Sequence, residues 1–145
     1  HPRYSDIPIL KLEHLLSWKK GCYRIYVPVY QMPQLLEVVS NIWNALIVFE
    51  DARKYIKKTI PDPVLKLIGD SKQQNVDIIF MYHSFSHAPK DLYSYLEYIE
   101  LFKTKFHPKC RMEELGGEYE EAVKAYEEVT ASSNPFAHKL IDLDN

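Results

Sequence analysis

The chain has 145 residues and a mass of 17.1 kDa, and 46% of its residues are apolar, so it can build one compact core and is not disordered. Its 18 Lys and Arg nearly balance its 20 Asp and Glu, and the resulting charge of −2 excludes a nucleic-acid binder driven by bulk charge. The apolar runs are far shorter than the roughly 20 residues of a membrane-spanning helix. With two distant cysteines and no such segment, we expect a cytoplasmic protein in a reducing compartment.

The first half of the chain alternates between helical and extended patterns. Apolar residues at helical spacing predict a helix over Ile7–Lys20, which Gly21 ends. A stretch rich in Tyr, Ile and Val predicts a short strand over Cys22–Val29, and an amphipathic pattern predicts a helix over Met32–Trp43. The apolar run Asn44–Phe49 predicts a strand buried on both faces, as in a parallel sheet.

The second half continues this alternation. Helical segments are predicted over Ala52–Lys58 and, after a Pro-Asp-Pro break, over Val64–Gln73. A second apolar strand follows at Val76–Tyr82, and a short helix over residues 91–96 leads to a third at Tyr98–Lys103. Buried strands that alternate with helices are typical of an α/β fold, a parallel sheet covered by helices.

The end of the chain has a different character. The stretch Glu113–Thr130 carries apolar residues on one stripe and charged residues opposite, which predicts a long amphipathic helix. We therefore expect a core of residues 1–106 and a helical tail of residues 107–145. The acidic face of this helix is suited to docking a partner, but a solvated helix packed on its own domain explains the same pattern.

Polar side chains follow two of the predicted strands. Glu50 and Asp51 come directly after Asn44–Phe49, and His83 and Ser84 follow the next strand. The carboxyl ends of neighbouring parallel strands share one edge of a sheet, so these side chains lie together if the two strands are neighbours. Two carboxylates there suit a magnesium-nucleotide site, one holding the metal and one orienting the attacking water. Alternatively, the acids only cap the following helix.

The string NALIVFEDARKYIKK, followed by DSKQQNVDIIFMYHSFSHAPKDLYSYLEYIELFKT, resembles the second half of a P-loop ATPase of the FtsK/HerA group. It is similar in particular to the short ATPases, related to zonula occludens toxin, that mobile elements and phages carry. The resemblance covers roughly residues 4–106. It implies a P-loop NTPase-like core fragment in which the acid-ended strand is the Walker B element and the next strand ends in a polar sensor.

The resemblance also implies roles for individual residues. Glu50 stands at the position that supports Mg²⁺, so that both acids belong to the metal site, and Asp51 stands at the position of the catalytic acid. His83 is the implied sensor of the terminal phosphate, with Ser84 beside it in the nucleotide site. Lys72 falls where relatives often have an Arg that reaches a neighbouring subunit's nucleotide.

Three departures from the family pattern change what is expected. The acids stand in the order Glu then Asp, and Lys72 lacks the planar fork with which Arg grips phosphate oxygens. None of the four glycines precedes a Lys, so the phosphate-binding loop is absent from these 145 residues. The chain begins at His1, which suggests a fragment or a processed form. We therefore expect ATP and Mg²⁺ in the intact protein, and no tight binding or turnover by this chain alone.

The resemblance implies that the intact protein is a homo-oligomeric motor whose partners are DNA or phage and mobile-element proteins. Two other functions stay open. The chain can be a non-catalytic α/β interaction module that has lost the nucleotide site. It can also be a metal-dependent nuclease or hydrolase in which Glu50, Asp51 and His83 hold the ion.

Several residues have a simpler alternative to a functional role. A zinc site at His83 and His87 is disfavoured because both lie in a predicted loop. The eleven tyrosines suit stacking on single-stranded nucleic acid, but most fall on predicted core-facing stripes, so packing in the core is favoured. Cys22 and Cys110 are expected to be buried thiols. A basic cluster follows the two acids, and a solvated face is favoured over a contact with nucleic acid. The cluster consists of Arg53, Lys54, Lys57 and Lys58.

Overall fold

The computed structural model describes residues 5–143 and has an α/β architecture with a parallel sheet flanked by helices, which confirms the predicted fold class. The strands are β1 (Ala45–Phe49), β2 (Val76–Phe80), β3 (Tyr98–Phe102) and β4 (His138–Asp142). The α-helices are α1 (Met32–Val39), α2 (Asp62–Gln74), α3 (Met112–Leu115) and α4 (Tyr119–Ala131). No helix within residues 5–143 combines the length and the apolarity that crossing a bilayer requires.

The chain divides into two compact units. The first unit takes in the described residues up to Ile47 together with Asp62–Ile78. The second takes in Val48–Pro61 and the residues from Ile79 onward. This division differs from the expected boundary between residues 106 and 107, because the break falls within the two strands of the parallel pair.

Strands β1 and β2 form a two-stranded sheet. The N–H of Asn44 donates to the Gln74 carbonyl over 2.9 Å where the strands begin, and the N–H of Met81 donates to the Phe49 carbonyl over 3.0 Å where they end. The first residues of β1 and β2 thus lie side by side, and so do their last residues, which shows that the two strands are parallel. The helical crossover through α2 is the connection that a parallel pair needs. Asn44 and Asn75 precede the two strands with left-handed backbones, which Asn tolerates well.

The expectation that these strands are buried on both faces is wrong. Leu46 and Val48 lie on one face of β1 and are 59% and 48% exposed, whereas Phe49 on the other face is buried. Ile79 of β2 is also exposed. The apolar run therefore indicated a strand correctly, but in the described residues only one face of this sheet is covered.

The first unit is built around the contact between α1 and α2. Leu36 and Val39 of α1 are buried, as the predicted amphipathic pattern requires, and Val64 and Leu67 of α2 are buried as well. Helix α2 begins within the predicted Pro-Asp-Pro break, since Pro63 occupies its first turn, where no intrahelical N–H bond is lost.

Two predicted elements near the start of the chain are shorter than expected. The helix predicted over Ile7–Lys20 is a 3₁₀ helix, Leu12–Ser17. The strand predicted over Cys22–Val29 forms one parallel bridge, between Ile9 and Arg24. The stretch between this bridge and α1 therefore follows an irregular course, apart from the 3₁₀ turn Val29–Gln31.

In the second unit, β3 pairs antiparallel with β4, and Ile99 lies opposite Ile141. The prediction that Tyr98–Lys103 is a third strand of the parallel sheet is therefore wrong for the described residues. β4 was not predicted, because three of the five residues in its sequence HKLID are polar and only Ile141 is buried. The described part of the predicted tail, residues 107–143, accordingly contains helix and strand, and not helix alone.

The predicted tail helix is interrupted at Gly116, whose φ of 54° ends α3. In helix α4, Ala122 and Val129 of the predicted stripe are buried, while Tyr119 and Tyr126 of that stripe are half-buried. Ala125, which the prediction left out, is also buried. The helix packs against both β3 and β4. The stripe thus covers a small antiparallel sheet, as expected of an amphipathic helix packed on its own domain.

Solvent exposure corrects two further expectations. Both free cysteines, Cys22 and Cys110, are exposed rather than buried. Tyr23, Tyr26 and Tyr98, which the sequence assigns to the core, are also exposed. Cys22, Tyr23 and Tyr26 lie on a loop, Cys110 lies in the 3₁₀ turn Pro108–Arg111, and Tyr98 lies at an outward position of β3. At such positions the pattern of apolar residues does not fix which side faces the core.

Candidate functional site

The end of β1 has an unusual backbone. Asp51 has φ 51° and ψ 50°, in the left-handed region, which costs an L-residue about 1 to 2 kcal/mol. The next N–H, that of Ala52, donates to the carbonyl of Met81 over 3.0 Å, just beyond β2. This turn therefore positions the Asp51 carboxylate beside the residues that follow β2.

The side chains of Lys54 and His83 both face the Asp51 carboxylate. Its Oδ2 lies 2.8 Å from Lys54 Nζ, and its Oδ1 lies 3.6 Å from His83 Nε2. The hydrogen bond from Lys54 is the main reason that the pKa of Asp51 is lowered, and the His83 charge contributes. The structure thus brings together the acid and the imidazole that sequence reasoning placed at one sheet edge.

The helix-cap alternative for the acids finds no support in this geometry. Only a three-residue 3₁₀ turn, Ala52–Lys54, follows Asp51, and the Asp51 side chain makes no capping hydrogen bond to it. The predicted helix over Ala52–Lys58 is therefore reduced to that turn.

Glu50 differs from Asp51 in its surroundings. Its side chain is exposed and forms no ion pair within residues 5–143, while its main-chain oxygen accepts a hydrogen bond from the Tyr55 hydroxyl. Burial, together with the negative charges of Asp51 and Glu50, raises the pKa of Tyr55 to about 12. Glu50 thus presents an exposed carboxylate beside Asp51, whose carboxylate is paired with Lys54. Mg²⁺ is usually held by one or two protein carboxylates together with substrate phosphates, and Glu50 can supply one such ligand.

Ser84 and Lys72 occupy other surroundings. The Ser84 side chain is buried and its hydroxyl lies 2.9 Å from that of Ser86, so it bonds there and not to Asp51 or His83. Lys72 lies exposed in the last turn of α2, in the first unit. Its proposed action on a neighbouring subunit's nucleotide stays a prediction.

A second pair near this edge escaped the sequence analysis. Arg53 Nη1 lies 2.8 Å from His87 Nε2, and because a guanidinium only donates, that nitrogen accepts and His87 is neutral. Burial is the main cause that lowers the pKa of His87, and the charges of Arg53 and His83 add to it. The only signal in the sequence is that a basic cluster directly follows the acids.

This pairing also bears on metal binding. The Arg53 guanidinium covers Nε2 of His87, one of the two ring nitrogens through which this histidine could bind a metal. Across residues 5–143, no three His, Cys, Asp or Glu side chains are grouped so that they could hold a metal ion. The geometry therefore gives no support to a zinc site or to a nuclease-type metal cage.

Arg111 fixes the loop that follows β2. Its Nη2 donates to the carbonyls of Ser86 and Ala88 over 3.1 and 2.9 Å, and its guanidinium stands 5.9 Å from the centre of the Tyr93 ring. The loop that carries both histidines is thus tied to the start of the tail. Sequence reasoning missed this residue, because nothing near Arg111 in the sequence indicates its partners.

No protein-family model matches the chain, and no curated protein matches its sequence. Its fold is similar to that of the genome-packaging NTPase B204 of Sulfolobus turreted icosahedral virus 2, in structures with AMPPCP and with ATP-gammaS. In both comparisons the TM-score is 0.72, the sequence identity is 12%, and the match covers 97% of this chain and 71% of B204. The likeness shows that the chain has a P-loop NTPase fold.

Proposed function

We propose that this chain is part of an ATP-hydrolysing motor that moves DNA or assembles phage components, and that the edge formed by Asp51 and His83 is its catalytic side. The observation that carries the proposal is the 3.6 Å approach of His83 Nε2 to Asp51 Oδ1 at the carboxyl ends of two parallel strands. The fold shared with a packaging NTPase that binds ATP analogues supports the same class of ligand.

In this proposal each residue has a distinct role. Asp51, kept ionised by Lys54, accepts a hydrogen bond from the attacking water and orients it toward the terminal phosphate. His83 donates to an oxygen of that phosphate, and Glu50 provides the open carboxylate for the metal. Mg²⁺, when bound, neutralises charge on the phosphates. Lys72 acts across a subunit contact of the assembled motor.

The chain alone should not hydrolyse ATP. Amides and a Lys of a glycine-rich loop make most of the contacts to the β- and γ-phosphates in this class of enzyme, and no Gly-Lys pair occurs in these 145 residues. Hydrolysis therefore needs a loop supplied by another part of the parent protein.

The test begins with the coding sequence upstream of His1, where a loop ending in Gly-Lys-Ser or Gly-Lys-Thr is expected. In the protein so encoded, Asp51→Asn should lower the ATP turnover number by about 100-fold or more while nucleotide binding persists. His14→Ala, on an exposed histidine of the first unit, serves as the control for His83→Ala. Unchanged turnover in Asp51→Asn would remove the catalytic assignment.

One observation favours a second function, a non-catalytic interaction module. Lys54 already forms an ion pair with Oδ2 of Asp51, and His83 lies beside Oδ1, so both carboxylate oxygens have a side-chain partner without a nucleotide. A natural start codon near His1, together with no nucleotide binding by the full protein, would favour the module over the motor.

A further inference from the structure

Residues 18–31, which we term the aromatic segment, present three tyrosine rings to solvent. Tyr23, Tyr26 and Tyr30 are 42%, 84% and 79% exposed. All three belong to the first unit. Aromatic side chains gain free energy when they are buried, so several exposed ones along one segment indicate a surface that a binding partner covers.

The segment is also basic, although the whole chain is slightly acidic. Residues 14–36 contain no Asp or Glu, the longest such stretch of the sequence, while the segment itself contains Lys19, Lys20 and Arg24. None of these three forms an ion pair with an acid within residues 5–143, and both lysines are exposed. The positive charge is therefore available to an anionic partner.

The local backbone fixes the position of this surface. Gly21 has φ +109°, and a Cβ built there would lie 2.9 Å from Cε2 of Tyr23, so the ring rests directly against the glycine. Arg24 is held on both sides of its peptide, since its N–H donates to Pro8 and its carbonyl accepts from Leu10. A ring held in this way loses little conformational entropy when it binds a partner.

We propose that the aromatic segment binds single-stranded nucleic acid, with the tyrosine rings stacking on bases and the basic side chains contacting phosphates. Aromatic rings beside a positive groove are the combination that single strands recognise. A duplex is a poorer partner, because its bases are already paired and stacked and offer no free faces. The proposal gives the proposed motor a specific contact, but it does not depend on ATP hydrolysis.

Two other partners fit the segment less well. A membrane surface is recognised by an amphipathic helix or by clusters of about four to eight basic residues, and here three basic residues lie on a largely irregular stretch. A second copy of the chain would have to bring a negative surface to these lysines or leave their charges uncompensated.

The experiment measures fluorescence anisotropy of a labelled oligothymidylate of about 16 nucleotides with this chain, in low salt and without ATP or Mg²⁺. Tyr26→Ala and Tyr30→Ala should each weaken binding about 5-fold or more. Tyr26→Phe keeps the ring and should bind like the wild type. Tyr98→Ala, on an exposed tyrosine of the second unit, is the matched control and should change nothing.

Charge is tested separately by the salt dependence. Replacing Lys19 and Lys20 by Gln should reduce the slope of log affinity against log salt by about 0.7 for each phosphate that a lysine no longer neutralises. Because no nucleotide is present, failure here leaves the proposed ATPase untouched, and an inactive ATPase leaves this binding untouched.

Four outcomes would overturn the proposal. The first is unchanged affinity in Tyr26→Ala, and the second is a loss in Tyr26→Phe equal to that in Tyr26→Ala. The third is a duplex that competes as well as the single strand. The fourth is no binding to the oligonucleotide together with another interaction that Tyr26→Ala abolishes, either binding to vesicles containing anionic lipid or self-association measured by light scattering.

Discussion

Strand β4 carries the clearest test of the second unit, through Ile141→Ala. Ile141 is fully buried, opposite Ile99 in the antiparallel register, on a strand that packs against α4. The change removes three carbon groups, worth about 0.8 kcal/mol each in transfer free energy, and leaves a cavity. The free energy of unfolding should therefore fall by about 2 to 5 kcal/mol. At about 4 °C per kcal/mol for a chain of this size, the midpoint temperature should fall by roughly 8 °C or more.

The matched control is Leu140→Ala, one residue earlier on the same strand. Leu140 is 63% exposed and lies opposite Glu100, so its removal should change stability by less than about 0.5 kcal/mol. Urea unfolding followed by far-UV circular dichroism measures both variants. Equal losses in the two variants, or a larger loss in Leu140→Ala, would refute the register and the packing of β4 on α4, because alternation along a strand demands opposite faces.

Three further predictions concern the electrostatics and the backbone. Lys54→Met should raise the pKa of Asp51 toward its ordinary value, since the ammonium group that stabilises the carboxylate is lost; an NMR titration measures it, and an unmoved pKa would contradict the pairing. Because the pKa of His87 is lowered in the folded state, the unfolded chain binds more protons below about pH 6.5, and the free energy of unfolding should decline as the pH falls below that value. His87→Gln should lessen this decline when urea unfolding is measured at several acidic pH values. An unchanged pH profile would exclude His87 as its cause. Gly21→Ala should cost about 1 to 3 kcal/mol in urea unfolding, because a φ of +109° is strained for Ala, and a neutral effect would show that this turn relaxes freely.

The elements that sequence reasoning predicted correctly are those whose pattern is local. The helices α1 and α2 repeat apolar residues at helical spacing, β1 is a continuous apolar run, and β2 is apolar apart from Asp77, so each element is indicated by its own residues. β4 has no such pattern. It is a strand because β3, far away in the sequence, offers it a hydrogen-bonding edge, and such tertiary pairing leaves little trace in five mostly polar residues.

In the candidate site, too, only the contact that follows from a general rule was predicted from the sequence. The meeting of Asp51 and His83 followed from one geometric rule, that parallel strands end at a common edge. The pairing of Arg53 with His87 and the hold of Arg111 on the same loop could not be predicted, because loop side chains choose partners by three-dimensional proximity. Ser84 shows the converse. Its adjacency to His83 suggested a shared role, but its buried hydroxyl bonds to a neighbouring serine.

The backbone of Asp51 links this chemistry to the fold. A left-handed aspartate costs about 1 to 3 kcal/mol, and such a conformation persists only where neighbouring contacts determine it. Those contacts are present on both sides, since Ala52 donates to Met81 across the strand ends and Lys54 pairs with the carboxylate. If the only need were a turn after β1, Gly would make it without strain, and Asn would make it without placing a charge there. The presence of a carboxylate at this turn therefore supports the role proposed for Asp51 at the sheet edge, where it meets His83.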